Sequence, residues 1–289
     1  MDPVNVLNLV LAGLLTGLVY GLMALGLSVI FGVVRVVNFA HGEMMTIAMY
    51  AAVGLFAAFR LDPFLAMLPI AAVFFLLGYA LQAGLINPFI TRPEHSQFML
   101  LVAVALIMVN ALLVAFGPDA RSVQLDYLLE SIEVGPLLLD RGKLFAALVA
   151  CATAALLFAF FKLTPTGKAI RACADNHLGA KVVGLNVKHL YALTFGLGSA
   201  CVAVAGCMMV LLVDVTPVLG PAYTLLAFVI VIVGGLGSMP GALLGGVLIG
   251  VSEALAGLLI TPSAKSMFSF GLLILVLLLR PQGLLGKKT

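Results

Sequence analysis

Polar and ionisable side chains interrupt an apolar stretch between residues 35 and 43, which read RVVNFAHGE. At membrane depth such groups are costly, so they usually line a cavity or pair with one another. One hypothesis is that Asn38, His41 and Glu43 line or brace a permeation path, with the helix N terminus after Asn38 presenting free N–H groups. The alternative is local: Asn38 caps the next helix, Glu43 favours its positive end and Arg35 marks the cytoplasmic side.

A second group of polar residues lies in the basic segment 162–188, whose only acid is Asp175. Thr164 and Pro165 form a helix start signal, because threonine can cap free N–H groups and proline fits the first turn. A short helix is predicted to follow within residues 166–184, with glycines at 179 and 184 able to end or bend it. It is either a solvated loop helix or a rigid docking helix that fits a partner's groove and transmits a push.

Glycines and a proline break the apolar pattern near the C-terminal end of the chain. Residues 234–241 read GGLGSMPG, a composition that disfavours helix continuation. The break separates a short apolar run at 222–236 from a longer one at 240–260, and the short run is a candidate re-entrant segment. We refer to residues 234–241 as the signature turn. Within it we single out Gly234, Gly235, Gly237, Pro240 and Gly241 as candidate gating residues.

Several enzyme signatures are absent from the sequence. Gly167-Lys168 is followed by alanine and Gly286-Lys287 by lysine, so the nucleotide-binding pattern G-x-x-x-x-G-K-[ST] does not occur. H-E-x-x-H and G-x-S-x-G are missing too, and the four cysteines include no C-x-x-C pair. We therefore expect no catalytic residue, metal or cofactor on this chain, and any energy for transport must come from elsewhere.

Membrane-embedded helices must position these residues. Hydrophobic residues make up 63% of the 289 positions and charged residues 9%, against about a quarter charged in a soluble domain. Long charge-free runs reach the roughly 20 residues of a membrane crossing and lack the alternation of barrel strands. We predict an all-α integral membrane protein, a polytopic bundle of about 8–9 transmembrane helices with broken or re-entrant segments. The predicted helices are residues 4–34, 41–60, 63–86, 98–116, 143–162, 189–213, 222–236, 240–260 and 264–280.

The remaining charges predict orientation. Basic residues concentrate in 162–188 and in the tail with Arg280, Lys287 and Lys288, which favours the cytoplasmic side. The acidic segment 117–142 lies one predicted helix away and is expected to be extracytoplasmic. The net charge of +3 is small, and basic residues of a membrane protein mostly report orientation, so no nucleic-acid binding is expected. Residues 1–289 are predicted to form one transmembrane domain.

Four segments in order carry a resemblance to a known family. They are residues 37–43, 167–175 continuing to Gly184-Leu185-Asn186, 234–242 and 280–286. With these segments the chain resembles the permease subunits of branched-chain amino-acid ABC importers, the LivH-like group, within a wider family that also serves urea, amides and sugars. The resemblance covers most of the chain.

The resemblance implies a bacterial inner-membrane permease that forms the path for a small polar solute, with branched-chain amino acids favoured. Its implied partners are a second, homologous permease in a heterodimer, two cytoplasmic ATPases that bind ATP and Mg, an extracytoplasmic solute-binding protein and membrane lipid. Alternating access would be driven by the ATPases. The resemblance identifies 166–184 as the coupling segment, in which Arg171, Asp175 and Gly184 would act, and 37–43 and 234–242 as membrane-embedded signature regions.

Two segments depart from the amino-acid members of this family. Residues 87–97 are less basic than expected, and the 117–142 loop looks unlike theirs. Because outer loops meet the binding protein, the same importer class for urea, amides or another small carboxylate stays open. A stand-alone secondary transporter or channel is the other alternative, and Glu43 and Glu253 are its obvious intramembrane candidates for binding an ion or a proton.

Overall fold

The computed structural model describes residues 3–128, 130–259 and 265–286. Within these ranges eight helices are long and apolar enough to cross a membrane, and a shorter apolar helix covers 266–279. The prediction of a polytopic all-α membrane protein is confirmed. The elements are α1 (Pro3–Val34), α2 (His41–Phe59), α3 (Pro63–Ala80), a π-helical segment (Leu81–Ile86), a 3-10 turn (Asn87–Phe89), α4 (Glu94–Phe116), a 3-10 turn (Asp126–Leu128), β1 (Ser131–Val134), β2 (Leu137–Asp140), α5 (Arg141–Leu163), α6 (Pro165–Asp175), α7 (His177–Val182), α8 (Val187–Met209), a 3-10 turn (Pro217–Leu219), α9 (Gly220–Gly234), α10 (Met239–Leu259) and α11 (Lys265–Leu279).

Each of the nine predicted apolar segments contains a helix. The largest difference is at α3, whose α-helical part ends at Ala80 rather than residue 86 and continues as the π-helical segment. α4 begins at Glu94 rather than residue 98, and α8 ends at Met209 rather than residue 213. Apolar composition continues beyond Met209 while the chain already turns, since hydropathy by itself marks no helix end. The predicted ends at 260 and 264 lie outside the described residues, as do Lys287 and Lys288.

α1 and α8 form the centre of the bundle. In their most apolar windows 78% and 83% of the residues are buried, against 22% for the span that begins with α3 and 17% for α4. α3 and α4 are therefore peripheral, and their many exposed leucine, isoleucine, valine and phenylalanine side chains suit contact with lipid.

Glycines bring α1 and α10 into close antiparallel contact. A Cβ atom at Gly13 would lie 2.7 Å from Gly250 O, and one at Gly17 would lie 2.7 Å from Gly246 O. Real Cβ atoms do not approach backbone this closely, so any side chain here would push the two helices apart. The glycine spacing on α1 therefore serves packing within this chain.

The two loops of opposite charge lie at opposite ends of α5, and we refer to 117–142 as the acidic end and 162–188 as the basic end. The acidic end contains the antiparallel hairpin β1–β2, which the sequence did not predict. Asn8 Oδ1 in the first turns of α1 accepts a hydrogen bond from Leu138 N at 3.1 Å, and α1 also contacts α6. α1 therefore runs from the acidic end to the basic end.

Capping side chains define three helix starts at the basic end. Thr164 Oγ1 accepts a hydrogen bond from Gly167 N at 3.0 Å, which confirms the predicted helix start. Asn176 Oδ1 accepts from Gly179 N at 2.9 Å and begins α7, and Asn186 Oδ1 accepts from His189 N at 3.2 Å and begins α8. The predicted short helix is therefore two helices, and the break falls at Asn176, ahead of both glycines that were expected to end or bend it.

Candidate functional site

The polar segment between α1 and α2 folds into the interior of the bundle. Asn38 and His41 have no exposed surface, and Glu43 is 3% exposed. Arg35 takes a positive φ of 59°, and the chain then returns into the bundle as an irregular segment up to the start of α2. The structure thus brings together the three residues predicted for the permeation path, and it buries all three side chains inside the bundle.

Asn38 stabilises the turn that precedes α2. Its Oδ1 atom accepts a hydrogen bond from Ala40 N at 3.1 Å, and its Nδ2 atom lies 3.8 Å from Met44 Sδ. The residue at the N-cap position is Ala40, which makes no side-chain cap bond. The local alternative, in which Asn38 caps the helix directly, is therefore wrong; Asn38 holds the turn instead.

His41 ties the start of α2 to the middle of α1. Its Nε2 atom lies 2.9 Å from Met23 O, so Nε2–H donates and Nδ1 carries the lone pair. Met23 is about 16 Å from the C-terminal end of α1 at about 1.5 Å per residue, close to half of the roughly 30 Å hydrocarbon thickness. Nδ1 is buried and has no hydrogen-bond partner among the described residues.

Glu43 pairs with Thr224 of α9, a residue that sequence reasoning missed. Thr224 Oγ1 donates to Glu43 Oε2 at 2.8 Å and accepts from Gly42 N at 2.8 Å. A single hydroxyl thus satisfies a carboxylate and a free helix N–H group at once. The only available signal was a threonine inside the short run 222–236, which is too common a feature to single out.

The N termini of α2 and α9 meet at this point. A Cβ atom at Gly42 would overlap Gly220 O and Thr224 N, and one at Gly220 would lie 2.9 Å from Glu43 Cα. From here α2 runs to the acidic end, where Asp62 accepts a hydrogen bond from Tyr127, and α9 runs to the basic end. Two helix N termini, each with a partial positive charge, therefore face one buried carboxylate inside the bundle.

The signature turn lies at the far end of α9 and does not touch the Glu43 cluster. Gly234 is about 15 Å beyond Thr224 along α9, and a Cβ atom there would overlap Gly241 O. Gly235 and Gly237 take positive φ values of 109° and 76°, which L side chains rarely adopt. Pro240 occupies the first turn of α10, where its missing N–H costs no hydrogen bond.

The C-terminal segment 280–286 packs onto this signature turn. Leu284 N donates to Val233 O and Leu285 N donates to Gly234 O, both at 2.9 Å. A Cβ atom at Gly235 would overlap Gly286. Two segments that are far apart in the sequence thus form one structural unit at the basic end of the bundle.

The residues predicted for coupling lie on a different surface. Arg171 and Asp175 are exposed on α6, and Gly184 follows α7 with a positive φ of 85°. The buried face of α6 is formed by Gly167, Ile170 and Cys173. The three predicted coupling residues therefore occupy the outer surface of the basic end, separate from the interior cluster.

Cys173 anchors α6 against α8. Burial raises the pKa of its thiol, while a hydrogen bond from Tyr191 and the nearby charge of Lys181 act in the opposite direction. Contacts between α6 and α8 link the short helix to the central helix of the bundle. α6 thus packs against the bundle through its buried face and presents its other face to the outside. Within the described residues, no three His, Cys, Asp or Glu side chains lie close enough to hold a metal ion.

Fold and site together define a polytopic membrane protein with a buried polar junction between broken helices and an exposed short helix at one end, the architecture of a transport permease. The chain matches, over residues 9–277, the family model described as the branched-chain amino acid transport system permease component. It is 30% identical over 95% of its length to the high-affinity branched-chain amino acid transport system permease protein LivH of Escherichia coli K12, with 94% of that protein covered. The chain belongs to this permease family.

Further comparisons agree with this assignment. The permease protein BraD of Pseudomonas aeruginosa is 29% identical, with 95% of this chain and 94% of BraD covered. A probable LivH permease of the archaeon Methanocaldococcus jannaschii is 28% identical over 92% of this chain and 88% of that protein. Among solved structures, PsaBC from Streptococcus pneumoniae matches with a TM-score of 0.50 and 14% identity, covering 93% of this chain and 91% of that chain, which shows a shared fold.

Proposed function

We propose that this chain is the transmembrane permease subunit of an ATP-binding-cassette importer for branched-chain amino acids, located in a bacterial inner membrane. The observation that carries the proposal is the family match across nearly the whole chain, to relatives that are permeases of branched-chain amino acid transport systems. The chain forms the path for the solute and transmits movement from the ATPases, and it does not itself catalyse a reaction. Urea, amides or another small carboxylate are the competing solutes within the same class.

The Glu43 junction supports a role in the wall of the path. Asn38, His41 and Glu43 are buried, so in this conformation they brace the meeting of α2 and α9 rather than line an open channel. Helix N termini attract anionic groups and a carboxylate attracts a cation, which together suit the two ends of a zwitterionic amino acid. A relative movement of α2 and α9 would expose both charges to the solute during alternating access.

The basic end supports docking of cytoplasmic ATPases. Leu178, Val182 and Val183 on and after α7 are 63%, 87% and 75% exposed, although this segment lies outside the membrane-spanning helices. Exposed apolar side chains beside Arg171 and Lys181 are typical of a surface that a partner covers. The ATPases would bind ATP and Mg and push α6 and α7, which pack against α8.

The remaining partners follow from the importer class. A second, homologous permease completes the path as a heterodimer, and an extracytoplasmic solute-binding protein delivers the solute at the acidic end. The acidic charge of 117–142 and the basic charge of 162–188 support this orientation. On this orientation Arg171, Asp175 and Gly184 face the ATPases, and the turn at 234–241 gates the path from the same side.

The test is reconstitution of the chain with its partner subunits in proteoliposomes. Uptake of labelled leucine that requires ATP and the binding protein is the expected result, with urea and acetamide as competing solutes. Uptake of urea or acetamide instead of leucine would identify a different solute and leave the assignment to the ABC importer class unchanged. Uptake without any ATPase would replace the importer with a stand-alone transporter.

A charge placed on the apolar surface of α7 tests the docking surface. Val182→Asp should abolish co-purification of the ATPases, because a carboxylate would be desolvated in the interface. Leu138→Asp is the matched control, since Leu138 is 54% exposed at the acidic end. Equal recovery of ATPases with both variants would remove α7 from the interface.

A further inference from the structure

The basic end of the α3 span contains a π-helical segment that neither the sequence motifs nor the proposed path explains. The chain is α-helical to Ala80, π-helical over Leu81–Ile86 and 3-10 over Asn87–Phe89. π-helical turns are rare and occur frequently at functional sites. The segment packs against α8, and its residues Gln82 and Ile86 are fully buried.

Two side chains depend on the π geometry. Gln82 Nε2 donates to Asn87 Oδ1 at 3.1 Å, and Asn87 N donates to Gln82 O, a bond that spans five residues. Residues five apart in an α-helix lie about 140° apart around the axis, so an α-helical turn would separate this pair. The amide pair therefore stabilises the π form specifically.

The same asparagine reaches α8. Asn87 Nδ2 donates to Lys188 O at 3.2 Å, and Tyr79 OH lies 2.8 Å from His189 Nδ1. Lys188 and His189 occupy the first turn of α8, directly after its cap residue Asn186. The π segment is thus bonded to the point at which the coupling segment joins the central helix.

The contact between α3 and α8 further along is made by small residues. A Cβ atom at Gly78 would lie 2.6 Å from Ser199 Cβ, and one at Gly196 would lie 2.8 Å from Phe75 O. Close backbone contact of this kind couples the positions of the two helices directly. Gln82 Oε1 is buried with no hydrogen-bond partner among the described residues, so it can accept a donor in a second arrangement.

We propose that Gln82, Asn87, Tyr79 and His189 form a lock that holds the π turn of α3 to the start of α8, and that this lock relays movement of the coupling helices to α3. Pushing α6 and α7 displaces the start of α8, and the lock transmits that displacement to α3 or releases it by converting the π turn to α. The inference rests on the proposed function for its driving force. The four residues are positioning residues, because they fix α3 relative to α8 and have no proposed contact with the solute.

The first experiment uses the chain alone, in lipid nanodiscs. Asn87→Ala removes both bonds of the amide, and hydrogen exchange of the amides at 82–87 should become about ten-fold faster. Asn87→Asp keeps an acceptor for Gln82 and loses the donor to Lys188 O, so its exchange should stay near that of the wild type. Asn110→Ala is the matched control, because Asn110 Nδ2 donates to Leu106 O of its own helix at 2.7 Å and to no other described residue. Unchanged exchange in Asn87→Ala would show that the lock does not hold the π turn.

The second experiment measures solute transported per ATP hydrolysed in the reconstituted complex. Asn87→Ala and Asn87→Asp should each lower this ratio at least about five-fold while ATP hydrolysis continues, and Asn110→Ala should not. A loss of fold would lower both rates together, which a relay defect would not. If Asn87→Ala does not fold, Tyr79→Phe, which removes one hydroxyl, takes its place.

The outcomes separate the relay from the proposed function. A wild-type ratio in both Asn87 variants overturns the relay and leaves the importer assignment intact. A wild-type complex that fails to transport overturns the importer assignment and the relay with it, while the exchange measurement on the chain alone still decides whether the lock holds the π turn.

Discussion

The junction of α2 and α9 and the helices α6 and α7 at the basic end both contain residues with a predicted role, yet their surroundings differ completely. At the junction Gly42 lies against the backbone of Gly220, and Glu43 is paired with Thr224. At the basic end, a Cβ atom at Gly184 would meet no atom within 4 Å among the described residues beyond its chain neighbours, and Val182 is 87% exposed. Close contacts within the chain constrain the side chains at the junction, whereas at the basic end Gly184 is constrained only by its own positive φ and Val182 is open to solvent or a partner. Substitutions should therefore change stability at the junction and coupling at the basic end.

The largest effect is expected for Gly42→Ala. The added methyl group would overlap backbone atoms of α9 that cannot move independently, so the free energy of unfolding in mixed micelles should fall by about 3 kcal/mol or more. Gly54→Ala on the same helix is the control, because no atom of another described element lies within 4 Å of its Cβ position. Equal stability of the two variants would mean that α2 and α9 do not pack as described.

The next effect is expected for Thr224→Val, which removes one hydroxyl at constant shape. Glu43 and Gly42 N then lose a buried partner, which should cost about 1–3 kcal/mol, and Thr224→Ser should restore most of it. The control is Thr153→Val, since the Thr153 hydroxyl donates to Val149 O of its own helix at 2.8 Å and makes no other bond within the described part of the chain. Thermal unfolding in detergent measures all three, and a loss in Thr153→Val as large as that in Thr224→Val would count against a special role of the junction.

A smaller effect is expected for Gly184→Ala, through the backbone alone. The positive φ of 85° disfavours a side chain by about 1–2 kcal/mol even though the space around it is open. Gly271→Ala, with open space and no positive φ, should be neutral or slightly stabilising. If Gly184→Ala also lowers transport per ATP while stability falls only this much, the turn takes part in coupling.

The smallest effect is expected for Tyr127→Phe at the acidic end, which removes the hydrogen bond to Asp62 and should cost about 0.5 kcal/mol. Burial raises the pKa of the Tyr127 phenol, and the hydrogen bond to Asp62 and the Asp62 charge raise it further. A raised pKa favours the protonated phenol in the fold, so this contribution is fully present below the unfolded value of about 10 and is lost as pH rises through the folded value. The stability difference between the two proteins should be constant near neutral pH and shrink above about pH 10; a difference that is already shrinking near pH 7 would contradict the assignment.

Much of the fold could be predicted because bilayer crossing depends on local composition. Each of the nine apolar runs became a helix, since a backbone in hydrocarbon must satisfy its own hydrogen bonds. The short helix after Thr164 was predicted from its cap, but its break at Asn176 was not, because an asparagine cap competes with helix continuation only in context. The hairpin β1–β2 was missed as well, since eight strand residues carry little signal beside the apolar runs.

The site was predicted only in part. The polar segment Asn38, His41 and Glu43 stood out because buried polar groups are expensive in a membrane. Thr224 did not stand out, because nothing in its own segment indicates that it faces Glu43. The placement of 280–286 on the signature turn was likewise invisible, since the two segments form a unit only through contacts between distant parts of the chain.

Composition, hydrophobic run length and four motifs were thus sufficient to determine the membrane location of this protein, its helical class and its permease family, because each depends on residues close together in the sequence. Only the tertiary structure decided that α2 and α9 meet end to end over Glu43, that α1 packs on α10 through glycines, and that a π turn of α3 is bonded to α8. Those features depend on which helix faces join, and close backbone packing selects one arrangement among many that the same apolar pattern allows.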